Sequence, residues 1–384
     1  MPPIYLDSNA TTPIAEEAAQ AMQPFLGRIF GNPSSGHYFG RQCKAAVDQA
    51  RKQLAGLLGC VSDELIFTSG GTEANNMALR GLGGGSKRRK IIISAVEHPA
   101  ITEVCKYLTG FGYEIQVLPV DRHGLVNPSD LSKEIGPETL MVSVMLANNE
   151  VGSIQPIAEL AEIAHEHGAI MHTDAAQAIG KIPVNVGELG VDMLSLAGHK
   201  FYAPAGVGAL YVRHGLNLAP LMFGAGHESG MRAGTENVLE IVGLGAAAEL
   251  AATELPMRAA HMRAMRDRLE AGLSASLGGL HINGHPTKRL PNTSSVSFPG
   301  VEANTLLDGL DGELAASAGA ACHTDKVDIS AVLKAMGVPE EIGMGTVRLS
   351  TGRHSNEEEM DQAVEMLVDA VTRLGAETRG GGEM

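Results

Sequence analysis

The sequence predicts an α/β fold, with a large domain around a mostly parallel central sheet and a smaller α+β domain after it. Three observations carry that expectation. Between about residues 62 and 212, short apolar runs alternate with amphipathic stretches, the pattern of a mostly parallel sheet covered by helices on both faces. A long Ala- and Leu-rich helical stretch over residues 236–275 then leads the chain away from that sheet. Beyond it the order changes to a strand, two helices, a strand and a final helix.

Taken in order, residues 65–68 read as a strand and 72–82 as a helix, then 91–94 as a strand with a helix after Pro99. Further strands are expected over residues 113–118, 140–145, 169–172, 193–196 and 208–212. Residues 156–167 form an intervening helix with Pro near its first turn, where the missing N–H costs nothing. The second part is expected as a strand over 294–298, helices over 303–310 and 330–336, a strand over 346–350 and a helix from Asn356, with residues 379–382 frayed. The expected division is a large domain of residues 14–250 and a small one of residues 1–13 with 251–384.

With 44 % hydrophobic and 19 % charged residues among 384, the chain can bury a large core and does not read as disordered. Its formal net charge of −15 disfavours direct binding to a nucleic-acid backbone. The one basic run, Lys87-Arg88-Arg89-Lys90, reads as a solvated loop that an acidic partner could dock on. Cys43, Cys60, Cys105 and Cys322 are scattered without paired spacing, which argues against disulfides and thiol zinc sites and for a reducing compartment. Neither a signal-peptide pattern nor a membrane-length apolar run is present, so the expected location is the cytoplasm, without membrane contact.

Chemistry gathers where strands end. Lys200 closes Ser195-Leu196-Ala197-Gly198-His199-Lys200. It snorkels, or pairs in a salt bridge, or, desolvated, forms a Schiff base with a carbonyl cofactor. Asp174, just past a strand end, either caps a following helix or holds the ring nitrogen of pyridoxal phosphate (PLP) protonated. Thr68-Ser69-Gly70-Gly71-Thr72-Glu73 follows a strand and opens a helix, so free N–H groups and a hydroxyl make a phosphate cradle. Gly81-Leu82-Gly83-Gly84-Gly85-Ser86 follows a helix instead and reads as a loop. His98 either stacks on a flat ring or is a hydrogen-bonded structural residue, and Asn148-Asn149-Glu150 places amides at the same edge. His165, Glu166 and His167 share a helix without zinc-binding spacing, and with His172 they are not read as a metal site. Cys322 lies between small residues and a polar, mobile loop. It is either an inert surface thiol or a nucleophile beside His323 and Lys326; Cys43, Cys60 and Cys105 read as packing residues.

This ordered set resembles the NifS-like cysteine desulfurases of the class V aminotransferase family. The resemblance runs from Tyr5-Leu6-Asp7-Ser8-Asn9-Ala10-Thr11-Thr12 through Gly31-Asn32-Pro33-Ser34-Ser35, Glu97-His98-Pro99, His172–Gln177, Gly198-His199-Lys200 and Gly234-Thr235-Glu236-Asn237 to Arg348-Leu349-Ser350. It implies the PLP-dependent transferase (aspartate-aminotransferase-like) fold, the cofactor pyridoxal 5'-phosphate, and a homodimer. Lys200 would carry the cofactor and shuttle the Cα proton, Asp174 would pair with the ring nitrogen, and His98 would stack on the ring. Gln177 and Asn149 would lie near the ring hydroxyl. Gly71, Thr72 and His199 would hold the phosphate, joined by Thr235 from the other subunit. Arg348 would grip the L-cysteine carboxylate in a bidentate pair, and Cys322 would take the sulfur as a persulfide for an acceptor protein. Iron–sulfur assembly, tRNA thiolation and DNA phosphorothioation all use similar enzymes.

Two positions depart from the family pattern. Ala197 stands where the family commonly has a phosphate-touching Ser, and Ala-Cys-His replaces the more usual Ala-Cys-Ser or Ala-Cys-Thr. Both features also resemble selenocysteine lyases, so selenocysteine is the alternative substrate. A plain aminotransferase would use Lys200 and Asp174 but leave Cys322 without a role.

Overall fold

The computed structural model describes residues 3–82, 86–323 and 326–380, with the backbone alone at 320–323, 326–327 and 377–380. Seven strands form the central sheet, in the spatial order Leu65–Thr68, Gly208–Val212, Met193–Ala197, Ile170–Asp174, Thr139–Ser143, Lys90–Ser94 and Glu114–Leu118. Neighbours run parallel except at Gly208–Val212, which is antiparallel to both strands beside it.

The alternation of side chains along a strand explains why helices cover both faces. Leu65, Phe67, Ile92, Val142, Leu194 and Leu196 enter one apolar cluster with Val47 and Leu54 of helix Tyr38–Leu58 and Leu160 of helix Ile157–Glu166. Their neighbours Ile66, Ile91, Ile93, Met141 and Met193 enter another, with Met77 of helix Gly71–Gly81 and Ile101 of helix Pro99–Thr109. Each large aliphatic side chain so buried contributes roughly 1.5–3 kcal/mol. Strands covered twice have no solvent-facing side, which is why they read as mainly apolar runs with few polar breaks.

The helix Val238–Ser276 links two cores. Ile241, Leu244 and Ala248 pack in the first cluster. Met265, Leu269 and Leu273 pack in a separate one with Ile4, Leu6, Phe298, Leu306, Leu349 and Leu367. Beside that second core lies an antiparallel sheet in the order Ser317–Ala318, Thr346–Ser350, Thr293–Ser297, His281–Asn283. The N-terminal strand Ile4–Tyr5 pairs in parallel with Leu314–Ala315. Ile4 and Leu6 therefore belong to the same packing unit as Leu367 and Ala370. The C-terminal helix runs over Glu357–Gly380, so residues 379 and 380 are helical, and 381–382 lie outside the described residues. Of the glycine run at 81–86, Gly81 closes helix Gly71–Gly81, and residues 83–85 lie outside them.

The basic run is not a solvated loop. Arg88 Nη1 donates to the carbonyls of Thr139, His167 and Gly168 at 3.0, 3.1 and 2.6 Å. The Arg89 guanidinium covers the Tyr113 ring. Lys90 is buried at the start of its strand and donates to the Glu134 carbonyl at 2.8 Å. Three of the four charges are thus spent at the amino ends of the sheet's strands, and Lys87 alone of the four is exposed. His165 pairs with Asp192 at 2.9 Å, and His172 bridges Ser143 and Ser195, its burial drawing it down to about 3 and keeping it neutral. Cys43 and Cys105 are buried, and burial pushes the Cys60 and Cys105 thiols up to about 12. Among the described residues no helix is long and apolar enough to cross a membrane.

Candidate active site

The carboxyl ends of the parallel strands open into a cavity of ≈ 400 Å³, the edge where open α/β sheets bind ligands. Gly71, Thr72, His98, Asn149, Asp174, Gln177, His199, Lys200 and Arg348 all line it, together with Asn9, Asn75 and Ala197.

Asp174 is the last residue of strand Ile170–Asp174 and is buried. Its oxygens accept from the Asn75 side-chain amide at 2.7 Å and the Ala176 N–H at 2.9 Å. Both donors are neutral, and turns follow Asp174 in place of a helix, so it is not the helix cap that the alternative reading expects. Lys200 ends the short turn Gly198–Lys200 that follows strand Met193–Ala197. Its Nζ donates to the carbonyls of Asn9 and Ala10 at 2.7 and 2.8 Å. Burial and the Arg348 charge draw the amine down to about 8. A lysine in this setting is available as a nucleophile near neutral pH.

His98 caps helix Pro99–Thr109, its Nδ1 accepting from the Ala100 N–H at 3.0 Å. That contact leaves the proton on Nε2, and burial lowers the ring's pKa. The structural and cavity-facing readings of His98 therefore hold together. The adjoining Glu97 is fully buried and pushed up to about 8, mainly by burial; Oε1 accepts from Ser94 Oγ at 2.5 Å and the Met145 N–H at 2.9 Å. Asn148 shapes the next turn, accepting from the N–H groups of Glu150 and Val151, both at 2.9 Å.

At the other end, helix Gly71–Gly81 points its first turn, with N–H groups that have no intrahelical acceptor, at the cavity. A Cβ on Gly71 would stand 3.3 Å from the Ala197 methyl, and one on Gly208 would stand 2.5 Å from the Leu196 carbonyl oxygen. Glycine at both positions lets the turn seat against the strand ends. His199 Nδ1 contacts Thr11 Oγ1 at 3.1 Å, leaving Nε2 for the cavity side.

Arg348 is more occupied than a free carboxylate clamp. Nη2 donates to Asp7 and Ser317 at 2.7 and 2.8 Å, and Nη1 to the Asn149 carbonyl at 3.2 Å. Its buried Nε has no partner among the described residues. Thr235 is exposed, just before the long helix, and is not among the residues lining this cavity. Cys322 lies on strand Ala320–His323, which pairs with Lys326–Ile329 as a hairpin; the centre of the loop expected after it lies outside the described residues. Its side chain and those of His323 and Lys326 lie outside the described residues, as do Thr324 and Asp325 altogether. The hairpin is rooted at Ile329, which packs on Val96, Met145 and Val151. Met145 also lines the cavity.

The donor set fits a PLP group: an anion-binding helix terminus at one end, a carboxylate without a cationic partner in its hydrogen bonds at the other, and a reactive amine facing the same space. Two groups escape a reading of the sequence. Asn9 enters it only as part of a motif, yet its backbone carbonyl receives both Lys200 and Gln177 (2.7 and 2.9 Å). Lys181 carries no expected role and is fully buried behind Gln177.

Fold and site together define an enzyme of the PLP-dependent transferase fold. The family described as aminotransferase class-V matches residues 4–363, and the chain belongs to that family. The cysteine desulfurase IscS of Dictyoglomus turgidum is 45 % identical over 374 residues, covering 97 % of this chain and 95 % of that one. A solved NifS-like protein matches with a TM-score of 0.91 at 37 % identity, over 97 % of this chain and all of the other (100 %). SspA, solved in complex with cysteine, matches with a TM-score of 0.81 at 32 % identity, over 92 % and 99 %.

Proposed function

We infer that this chain is a PLP-dependent cysteine desulfurase that converts L-cysteine to L-alanine and carries the sulfur as a persulfide on Cys322. The observation that carries this reading is the single cavity that places Lys200, Asp174, His98 and Arg348 beside the Gly71–Thr72 helix terminus.

PLP bound there supplies an aldehyde for Lys200 and a ring that takes up the electron pair left at the substrate Cα. Asp174 would keep the ring nitrogen protonated, and Gln177 and Asn149 would hold the ring oxygen. His98 would stack on the ring. Thr72, His199 and the helix terminus would hold the phosphate, joined by Thr235 of the partner protomer in a homodimer. Ala197 lends a methyl where a hydroxyl would add a further bond. Arg348 takes the substrate carboxylate, using its free Nε and drawing Nη2 away from Asp7. Lys200 accepts the Cα proton and returns it. Cys322 attacks the substrate sulfur, so that an S–S bond forms as the Cβ–S bond breaks, and protonation of the carbon skeleton gives alanine. The hairpin bearing Cys322 is anchored on the cavity wall at one end, which suits a group that must meet both the substrate and an external acceptor protein.

The same reading assigns residues 14–250 to cofactor binding and residues 1–13 with 251–384 to the sulfur-accepting domain, supported by the two apolar cores. A thiol that stores sulfur suits a reducing compartment, the cytoplasm.

The purified holoenzyme is expected to release alanine from L-cysteine without any α-keto acid, with sulfide appearing once a reductant is present. Parallel assays with L-selenocysteine test the substrate. Strong preference for selenocysteine with little reaction of cysteine would make the enzyme a selenocysteine lyase. Dependence on an α-keto acid would make it an aminotransferase.

A further inference from the structure

Lys181 is a buried lysine behind the site, held on two residues that line it, whose chemistry the reaction leaves unused. It follows Gln177 by four residues in the turns after strand Ile170–Asp174, so both side chains lie on one side of the chain. Gly180 makes the final turn inward with φ +73°, and a Cβ there would stand 2.8 Å from that of Phe201. Lys181 is 4 % exposed. Its Nζ donates to Gln177 Oε1 at 2.8 Å and to Asn9 Oδ1 at 3.0 Å. Both acceptors are neutral, and the nearby charges that act on it, Lys200 and Arg348, are of its own sign. Packing alone would be served better by an apolar chain of similar length, because a buried amine without a counter-charge is costly.

What an ammonium or amine at this place supplies is direction. A side-chain amide has two nearly isosteric orientations, and only its partners decide which end is the acceptor. Lys181 donates to both amide oxygens and, together with the backbone carbonyls of Asn9 and Asn149 that accept from the two amide nitrogens, fixes which end is which. With Gln177 Oε1 taken, Nε2 is the end left for the cavity side, where it already donates to the Asn9 carbonyl that also holds Lys200. With Asn9 Oδ1 taken by Lys181 and Asn292, the Asn9 Nδ2 donates to the Asn149 carbonyl and Thr293.

We propose that Lys181 is a positioning residue that locks the Gln177 amide with its N–H end toward the cofactor ring oxygen. This assignment rests on the PLP-dependent reading above. The test uses holoenzymes of wild type, Lys181→Met, Gln177→Ala and the double variant, dialysed to equilibrium against graded PLP. The pH titration of the visible band of the bound cofactor and the melting temperature are recorded in parallel. Losing the fixed donor is expected to weaken PLP binding about 10-fold or more in Lys181→Met. The band titration should shift in the same direction in Lys181→Met as in Gln177→Ala. The double variant should be no worse than the weaker single one, since the two residues act through one contact.

PLP affinity within twofold of wild type in Lys181→Met would overturn the assignment. So would losses that add in the double variant, or a lowered melting temperature with an unmoved band. Lys181→Gln keeps the site polar and folds if Lys181→Met does not. Its amide can accept as well as donate, so it is expected to weaken binding severalfold, and wild-type behaviour would overturn the proposal equally. A wild-type protein that binds no PLP would instead sink the functional reading itself.

Discussion

Lys200→Ala is expected to lower alanine formation from cysteine at least about 10³-fold, because one side chain is asked both to carry the cofactor and to move the Cα proton. The pH dependence of the wild type isolates the first of these tasks. Burial and Arg348 favour the neutral amine, drawing Lys200 down to about 8. At pH 7.5 about a quarter of such amines are unprotonated, against roughly one in a thousand for a lysine at its ordinary pKa. Only the unprotonated amine attacks the aldehyde, so capture of PLP by the apo-protein speeds up as pH rises toward about 8 and flattens above it. Stopped-flow absorbance across pH 6–10 measures this. A rate still climbing steeply near pH 10 would mean that Lys200 titrates as an exposed lysine does.

The second large effect is expected from Asp174→Asn. Asparagine keeps the shape and can still accept from Ala176, but it gives the ring nitrogen no negative charge. Removing one partner of a buried charge pair costs about 3–5 kcal/mol, which corresponds to a fall of roughly 10²–10⁴ in kcat at saturating cysteine. PLP should remain attached through Lys200, as its absorbance will show. A kcat within threefold of wild type, with PLP bound, would remove Asp174 from the ring-nitrogen role.

The parts of the fold that are legible in the sequence are those that a physical pattern dictates. Strands such as Lys90–Ser94 and Met193–Ala197 are buried along their whole length and so appear as mainly apolar runs, Ser195 interrupting the second. Strand direction leaves no such trace. The antiparallel strand Gly208–Val212 looks like its parallel neighbours, because an apolar run does not record which way it points. Helices Glu16–Met22 and Tyr38–Leu58 are not among the expected elements, although His37 caps the second by accepting from the Gly40 N–H. The basic run misleads because charge alone does not reveal that Arg88 meets three backbone carbonyls brought together by distant strands.

In the site, Lys200, Asp174 and the Gly71–Thr72 turn are legible because each follows an apolar strand, and strand ends face ligands in this architecture. Asn9 and Lys181 are not. Asn9 comes from a segment that returns to the site only because Ile4–Tyr5 pairs with Leu314–Ala315 near the other end of the chain. Lys181 sits in Ile179-Gly180-Lys181-Ile182, outside every expected strand and helix; its burial goes with the turn at Gly180 and the approach of Phe201.

The central claim is that sulfur leaves cysteine by transfer to Cys322. Its most direct test is the intact mass of wild type and Cys322→Ala after brief exposure to L-cysteine, with peptide mapping of the modified site. The account predicts one added sulfur atom on Cys322 in the wild type. The variant should show no added sulfur, and its alanine formation should fall with it. Added sulfur on Cys43, Cys60 or Cys105 in place of Cys322, or undiminished alanine formation by Cys322→Ala, would contradict it.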